Sequence, residues 1–572
     1  MTLRPIELDH REFADIDRHF ARFIKGFGQE DLPPVAAALL SRNMRHGHLC
    51  LDLARGPVAS GEPPLAFAWP ELKTWQKVFA KNRAIGRPDQ GRPLVLDGAG
   101  RLYLRRYWEY EKALAQGILI RCQESVPLSL LNTADLQDLA IATALARRFV
   151  VISGGPGTGK TTTVLKILER LVSEPGGEKL RIALAAPTGK AAARLQETLR
   201  SGVGNGLAQD RLPKSASTLH RLLGPRHNSV YFWHDRKNPL PVDLVVVDEA
   251  SMVSLTMMAK LFDALPEKAR VILLGDRDQL SSVEPGAVLG DIASAASEPG
   301  PLQGSLVVLE KNYRFGNQSN IFALSNAVRD GEVDRALEIL NSVEQPDLCA
   351  GKTPPPLRIA EQLRQSVIAG YSAYLRTADP IEALENFKKF RVLCPFRAGP
   401  YGVESLNRTI ENILREERLI GGAQNAYAGM PILITQNDHP LRRYNGDIGI
   451  LLPDPADSSH LLAWFIGEDG GLRRIPPARL PEHEPAFAMT VHKSQGSEFD
   501  TVLLILPDKE SPLLTRELIY TGLTRARNRV QVWFQEEVLR AGLDRKIQCA
   551  SGLRDRLGKR PNRSLNSCGM VT

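Results

Sequence analysis

One stretch limits the folds open to this 572-residue chain more than any other. Val150-Val151-Ile152-Ser153 is a short apolar, β-branched run, followed by Gly154-Gly155-Pro156-Gly157-Thr158-Gly159-Lys160-Thr161. After it comes a segment whose Val164, Leu168 and Leu171 share one helical face. The stretch from Gly154 fits G-x-x-x-x-G-K-[ST], with a strand before it and a helix after it, as that pattern requires. Glycines let the backbone wrap closely around phosphates, so that successive N–H groups and the following helix N-terminus face the anion. The loop therefore predicts an α/β fold that binds a nucleoside triphosphate.

Residue types assign the contacts. Lys160 would hold the β- and γ-phosphates and Thr161 would ligate magnesium. Gly154, Gly155, Pro156, Gly157, Thr158, Gly159 and Thr162 complete the expected nucleotide-contacting set. Such a loop also needs a metal-binding acid at the end of a neighbouring strand, and Leu244-Val245-Val246-Val247-Asp248-Glu249 provides one. Asp248 would support the magnesium and Glu249 would polarise the attacking water. Kinases and GTPases share the loop, but no Asn-Lys-x-Asp stretch is present to read guanine. A second strand end, Leu274-Gly275-Asp276-Arg277-Asp278-Gln279-Leu280, carries polar residues towards the same crevice, where Gln279 could sense the γ-phosphate. Asn312-Tyr313-Arg314-Phe315 and Tyr520-Thr521-Gly522-Leu523-Thr524-Arg525-Ala526-Arg527 each offer an arginine able to reach across to the nucleotide.

Short β-branched runs separated by helical periodicity recur in two sets. The first is Phe149 to Ser153, Arg181 to Ala186, Leu244 to Val247 and Val271 to Gly275; the second is Arg391 to Cys394, Val502 to Leu506 and Val530 to Phe534. Each set implies a parallel sheet covered on both faces. Two α/β lobes are expected, over residues 116–325 and over 326–429 with 486–551. Between the two parts of the second, residues 430–485 hold short strand-like pieces broken by Asn445-Gly446-Asp447 and Asp469-Gly470-Gly471, which reads as a small β insertion. Residues 1–115 carry no chemical motif and read as a small adaptor domain; 552–572 read as a disordered basic tail.

Lys plus Arg exceed Asp plus Glu by 73 to 65, an excess that suits either a polyanionic partner or a merely soluble surface. The acidic, polar start lacks a secretory apolar run, and no stretch approaches the roughly 18 apolar residues of a membrane span. A cytoplasmic protein with no membrane partner is expected. The six cysteines are scattered without metal spacing and read as structural thiols.

Taken in order, Gln137, Gly154 to Thr161, Ala186 to Leu195 (APTGKAAARL), Thr218 to Gly224 (TLHRLLG), Val245 to Val253, Leu274 to Leu280, Asn312 to Phe315, Ala488 to Asp500 (AMTVHKSQGSEFD) and Tyr520 to Arg527 resemble the motifs of superfamily 1 DNA helicases. Within that superfamily the wording is similar to the RecD family, the alpha chain of exodeoxyribonuclease V. The resemblance runs from about Leu136 through the second lobe and is looser over residues 1–115.

It implies two RecA-like lobes, an SH3-like character for the β insertion, and ATP with Mg2+ as cofactors. It implies that Gln137 reads the adenine edge, that Gln279, Arg314 and Arg525 contact the γ-phosphate, and that Gly496 and Glu498 lie near the γ-phosphate and ribose. Thr188, Lys190, His220, Thr490, His492 and Lys493 fall in segments that line the DNA strand in such helicases, although each also suits an ordinary loop or helix cap. The implied activity is an ATP-dependent 5′-to-3′ DNA helicase without a nuclease site, acting with RecB-like and RecC-like subunits in double-strand-break repair. A stand-alone RecD-like helicase and a DNA-clamping scaffold with a vestigial ATPase are the alternatives. Residues 1–115 hold Phe20, Phe23, Phe27, Trp69, Trp75, Phe79, Tyr103, Tyr107 and Trp108, some expected in that domain's core and the remainder in a patch docking on the RecC-like chain.

Overall fold

The computed structural model describes residues 13–56, 69–123, 135–202, 212–213, 215–226, 229–282, 284–314, 319–342, 346–421, 426–438, 440–467 and 470–558. Phe315, Asp469, Cys568 and the tail beyond Gly558 lie outside them.

The N-terminal region packs two helices, Asp15–Lys25 and Leu32–Arg45, and the helix Leu72–Phe79 against a small sheet. Its strands are β1 (Leu51–Asp52), β2 (Ile85–Gly86), β3 (Leu94–Leu96) and β4 (Arg101–Leu104), ordered β1-β4-β3-β2. Trp75, Phe79, Tyr103 and Trp108 are buried inside and Tyr107 is buried in the core of the first lobe, whereas Phe23 and Ile16 are 59% and 61% exposed.

The first lobe is a six-stranded parallel sheet of β5 (Phe149–Gly154), β6 (Ile182–Ala186), β7 (Ser217–Thr218), β8 (Leu244–Val247), β9 (Arg270–Gly275) and β10 (Leu306–Leu309). Its order is β10-β5-β9-β8-β6-β7. Every residue of β5 and β8 is buried, because helices cover both faces and leave no polar alternation to show. The second lobe begins with β11 (Leu348–Lys352) and β12 (Phe390–Cys394). The insertion follows as β13 (Pro431–Ile434), β14 (Ile448–Asp454), β15 (Asp457–Ile466), β16 (Leu472–Ile475) and β17 (His483–Pro485), a five-stranded antiparallel sheet with β17 beside β13. The chain then completes the second parallel sheet with β18 (Ala488–Thr490), β19 (Phe499–Ile505) and β20 (Ala526–Phe534), in the order β11-β20-β19-β12-β18.

Two expectations about the ends need correction. Residue 115 is no boundary: it falls inside one continuous helix, Arg105–Cys122, whose Leu114, Ile118 and Leu119 belong to the core of the first lobe. Nor is the segment from Gly552 wholly disordered. Leu553–Leu557 is a helix whose two leucines, four residues apart, are fully buried against the first lobe, and its cations are paired: Arg554 with Glu298, Arg556 with Glu111. A basic composition concealed two buried leucines, and burial decides order here.

The approach to that helix is a strap between regions far apart in sequence. Leu49 N–H donates to Ala550 O at 2.9 Å, and Ala550 N–H donates to His48 Nδ1 at 3.0 Å. Burial lowers His48 to about 4, so its ring is neutral and can accept. Ser551 Oγ and Gly552 N–H both donate to Glu111 Oε1 at 3.0 Å. Nearby, Asp291 Oδ2 is sealed from solvent without a hydrogen-bond partner, and burial raises that carboxyl to about 7.

Between its ordinary 3.8 and about 7, Asp291 is ionised in the unfolded chain but protonated in the folded one. Its contribution to stability is fully present below that window and is lost as pH rises through it. Asp291→Asn should therefore make Tm fall less steeply between about pH 5 and about pH 8, measured by thermal unfolding. An unchanged slope contradicts this assignment.

Candidate nucleotide site between the lobes

The loop leaves β5 and enters the helix Lys160–Ser173, with Gly157 and Gly159 at φ 83 and 80. That left-handed backbone is open to glycine and strained for most other residues. Space is equally restrictive, since a β-carbon on Gly157 would lie 2.5 Å from Arg314 Cβ and 2.8 Å from Asn312 Oδ1. The segment Asn312–Arg314 is thus laid directly on the loop. Asn312 Nδ2 donates to Pro156 O at 2.8 Å and Tyr313 N–H donates to Gly157 O at 2.8 Å. Thr158 Oγ1 closes the turn onto Gly155 O, and Lys160 Nζ lies 2.6 and 3.0 Å from Gly154 O and Gly155 O.

Gln137 reaches the loop from the other side. Asp135 caps the helix Leu136–Ala146 by accepting from Gln137 and Asp138 N–H, and this sets the glutamine's position. A β-carbon on Gly159 would come within 2.6 Å of Gln137 Nε2. Thr161 and Thr162 occupy the first turn of the loop's helix.

Asp248 and Glu249 leave the end of β8, near Lys160. Glu249 N–H donates to Asp248 Oδ1 at 2.8 Å, and Glu249 itself sits at φ 50, a left-handed conformation uncommon for a residue with a side chain. Burial, then the adjacent Glu249 charge, raises Asp248 to about 6. A carboxyl so placed favours a neighbouring cation, and the oxygen donors of Thr161 and Asp248 suit a hard ion such as magnesium. Gln279 Nε2 donates to Asp276 Oδ2 at 3.2 Å, and both residues are buried.

From the second lobe, Arg525 is 2% exposed and donates through Nε to Thr521 O and through Nη1 to Ser497 O. Burial lowers its pKa, while Glu249, Glu498 and Asp276 favour its charge. Gly496 sits at φ 70, and a β-carbon there would lie 3.9 Å from Thr188 Oγ1 and Ala191 Cβ. Glu498 gathers three guanidiniums: Arg194 Nη2 and Arg314 Nη2 at 2.6 Å, and Arg527 Nε at 3.0 Å. Burial alone would raise this carboxyl, but Arg194 and Arg314 outweigh it and hold Glu498 at about 2. Spacing does not mark Arg194 and Arg527, because it does not reveal which carboxylate an arginine will meet.

The six residues considered for a DNA strand divide by their contacts. Thr188 Oγ1 accepts from Ala191 N–H and Thr490 Oγ1 from Lys493 N–H, so both cap turns. Lys190 Nζ crosses to Ser497 Oγ at 2.6 Å, and Lys493 Nζ pairs with Glu484 at 2.6 Å. His492 opens the short 3-10 turn that ends at Ser494. His220 lies on the helix Leu219–Leu223, capped by Thr218, with its ring 5.8 Å from that of Phe232. Beyond Phe232, Val230, Tyr231 and Trp233 are 73%, 69% and 61% exposed, and Arg226 lies over the Trp233 ring. The Val-Tyr-Phe-Trp run, near Arg226, Arg236 and Lys237, matches no helicase motif, but an apolar aromatic run beside cations is itself a readable signal. Asp235 forms a solvated turn there, accepting from Lys237 and Asn238 N–H.

Comparison with known proteins places this geometry. A family model for the RecBCD enzyme subunit RecD, N-terminal domain, matches residues 9–103; an AAA domain matches 137–285, and a UvrD-like helicase C-terminal domain matches 485–532. The RecBCD enzyme subunit RecD of Mycolicibacterium smegmatis is 40% identical over 95% of this chain and 98% of its own. The chain belongs to the RecD family. The corresponding RecD of Haemophilus influenzae is 35% identical over 84% of each chain. The ATP-dependent RecD2 DNA helicase of Deinococcus radiodurans is 33% identical over 76% of this chain and 55% of its own. This RecD-type chain is a DNA helicase and an ATPase, and the cleft between its lobes is its candidate nucleotide site.

Arg525 reaches that cleft from the lobe opposite the phosphate loop. Arg525→Ala should lower ATP turnover about 10³-fold or more while changing nucleotide affinity far less, as for an arginine finger. Equal losses of binding and turnover, in steady-state kinetics with a nucleotide titration, would make it a ground-state ligand.

Proposed function

We propose that this chain is the 5′-to-3′ motor of a RecBCD-type helicase–nuclease, unwinding duplex ends during double-strand-break repair. One observation carries the reading: residues from both lobes converge on a single phosphate loop. Asn312, Tyr313 and Arg314 rest on Gly157, and the Tyr520 hydroxyl comes within 2.9 Å of where a β-carbon on Gly155 would be. Nucleotide bound there would touch both lobes, so its charge would favour their closure and hydrolysis would relax it.

In this reading Lys160 neutralises the β- and γ-phosphates, Gln137 meets the adenine edge, and Thr161 with Asp248 holds magnesium. Glu249 orients the attacking water, while Gln279, Arg314 and Arg525 meet the charge that develops on the transferred phosphoryl group. Arg314 can serve only by leaving Glu498, and Arg194 with Arg527 keeps that carboxylate neutralised when it does. Magnesium would supply charge neutralisation across the phosphates.

A DNA strand would pass along His220, Thr188, Thr490 and the exposed aromatic hairpin at Tyr231 and Trp233. Bases can stack there beside cations without sequence preference. The match of residues 9–103 to a RecD N-terminal domain favours a subunit over a stand-alone helicase. Exposed Ile16 and Phe23, with Phe20, offer an apolar face for a RecC-like chain.

Unwinding should require a 5′ single-stranded tail on the partial duplex and should disappear in Lys160→Gln along with DNA-stimulated ATP hydrolysis. Gel-based strand separation with tails of either polarity checks both, and preference for a 3′ tail would reverse the direction. The paired changes Ile16→Glu and Phe23→Glu should abolish co-purification with a RecC-like chain and leave ATPase activity intact. Retained assembly would move the contact elsewhere.

A further inference from the structure

The segment Asp276–Leu280 follows β9 of the first lobe, yet much of its hydrogen bonding goes to the second. Tyr520 OH donates to Asp276 Oδ2 at 2.9 Å. Leu280 N–H donates to Thr521 Oγ1 at 3.0 Å, and Gln495 Nε2 donates to Leu280 O at 2.8 Å. Tyr520 and Thr521 lie on the helix Arg516–Leu523, fixed by its Thr515 cap. Asp276, Gln279, Tyr520, Thr521 and Gln495 are all below 10% exposed, so water does not compete for these bonds.

One oxygen organises the cluster. Asp276 Oδ2 accepts from Gln279 Nε2 of its own lobe and from Tyr520 OH of the other. Burial and the adjacent Asp276 charge raise the Tyr520 hydroxyl well above its ordinary value, so it remains a donor. The carboxamide of Gln279 gives one N–H to Asp276; its second is the donor that a phosphate oxygen could take. Where Asp276 points therefore fixes where Gln279 points, and the Tyr520 hydroxyl is the only second-lobe side chain among the described donors to that oxygen.

Resting on the ATPase reading above, we infer that Tyr520 is a positioning residue for hydrolysis: its hydroxyl holds Asp276, and through it Gln279, in place only when the lobes are docked. The bond ties the orientation of the γ-phosphate sensor to interlobe geometry. Rigid-body movement of the second lobe, as a strand advances, breaks or makes this O–H···O contact together with the two bonds to Leu280, and so turns the sensor. Tyr520 acts through a carboxylate and a carboxamide.

The test uses the full chain in DNA-stimulated steady-state ATPase assays, comparing wild type, Tyr520→Phe, Gln279→Ala and the double variant. Phenylalanine keeps the buried ring and loses only the hydroxyl. Tyr520→Phe should lower kcat about tenfold with KM for ATP within about twofold, and should add no further loss in the Gln279→Ala background. A merely structural tyrosine would instead give losses that add to those of Gln279→Ala, and that result overturns the inference. So does an unchanged kcat in Tyr520→Phe while Lys160→Gln is inactive, an outcome that leaves the ATPase reading standing. A wild-type chain that hydrolysed no ATP with DNA present would overturn both.

Discussion

The backbone of the phosphate loop admits no side chain where its partners approach. Gly157 and Gly159 combine a left-handed conformation with direct contact from neighbours, Arg314 and Asn312 on one and Gln137 on the other. Packing this close converts a flexible, glycine-rich segment into a rigid floor on which two other segments are registered. The organisation of the cleft follows: Asn312–Arg314 is fixed by backbone and amide bonds to the loop, and Arg314 is then delivered to Glu498. Substituting either glycine would both strain the loop and displace the residues resting on it.

Charge in the cleft is arranged as a surplus of cations around few carboxylates. Glu498 meets three arginines, while Asp248 and Asp276 are raised by burial. A buried carboxylate held by three guanidiniums keeps two of them if the third moves away. Such a surplus spares Glu498 from standing as an uncompensated charge, which would be costly at this depth.

Much of the fold was legible because its signals are local. β5, β8 and β9 announce themselves as β-branched runs, and Asp248 and Gln279 follow such runs at strand ends. Contacts made at long range were not. Nothing in the spacing of Lys190 or Lys493 indicates that they meet Ser497 and Glu484, nor does the Tyr520 segment disclose that its first residue bonds Asp276. The edges failed for a different reason: composition averages over a window. The tail from Gly552 looked uniformly basic although Leu553 and Leu557 are buried, and the helix Arg105–Cys122 runs unbroken through a boundary drawn from motif content.

The strap at Cys549–Gly552 gives the chain an unusual load path. The polypeptide leaves the first lobe after β10, builds the whole second lobe and its insertion, and then returns to bond Leu49, His48 and Glu111. The second lobe is thus a closed excursion from the first, anchored at both of its ends to the same body. Two covalent crossings thus join the lobes, one after β10 and one ahead of the strap, so the second lobe cannot come away at its C-terminal end without giving up the bonds to Leu49, His48 and Glu111.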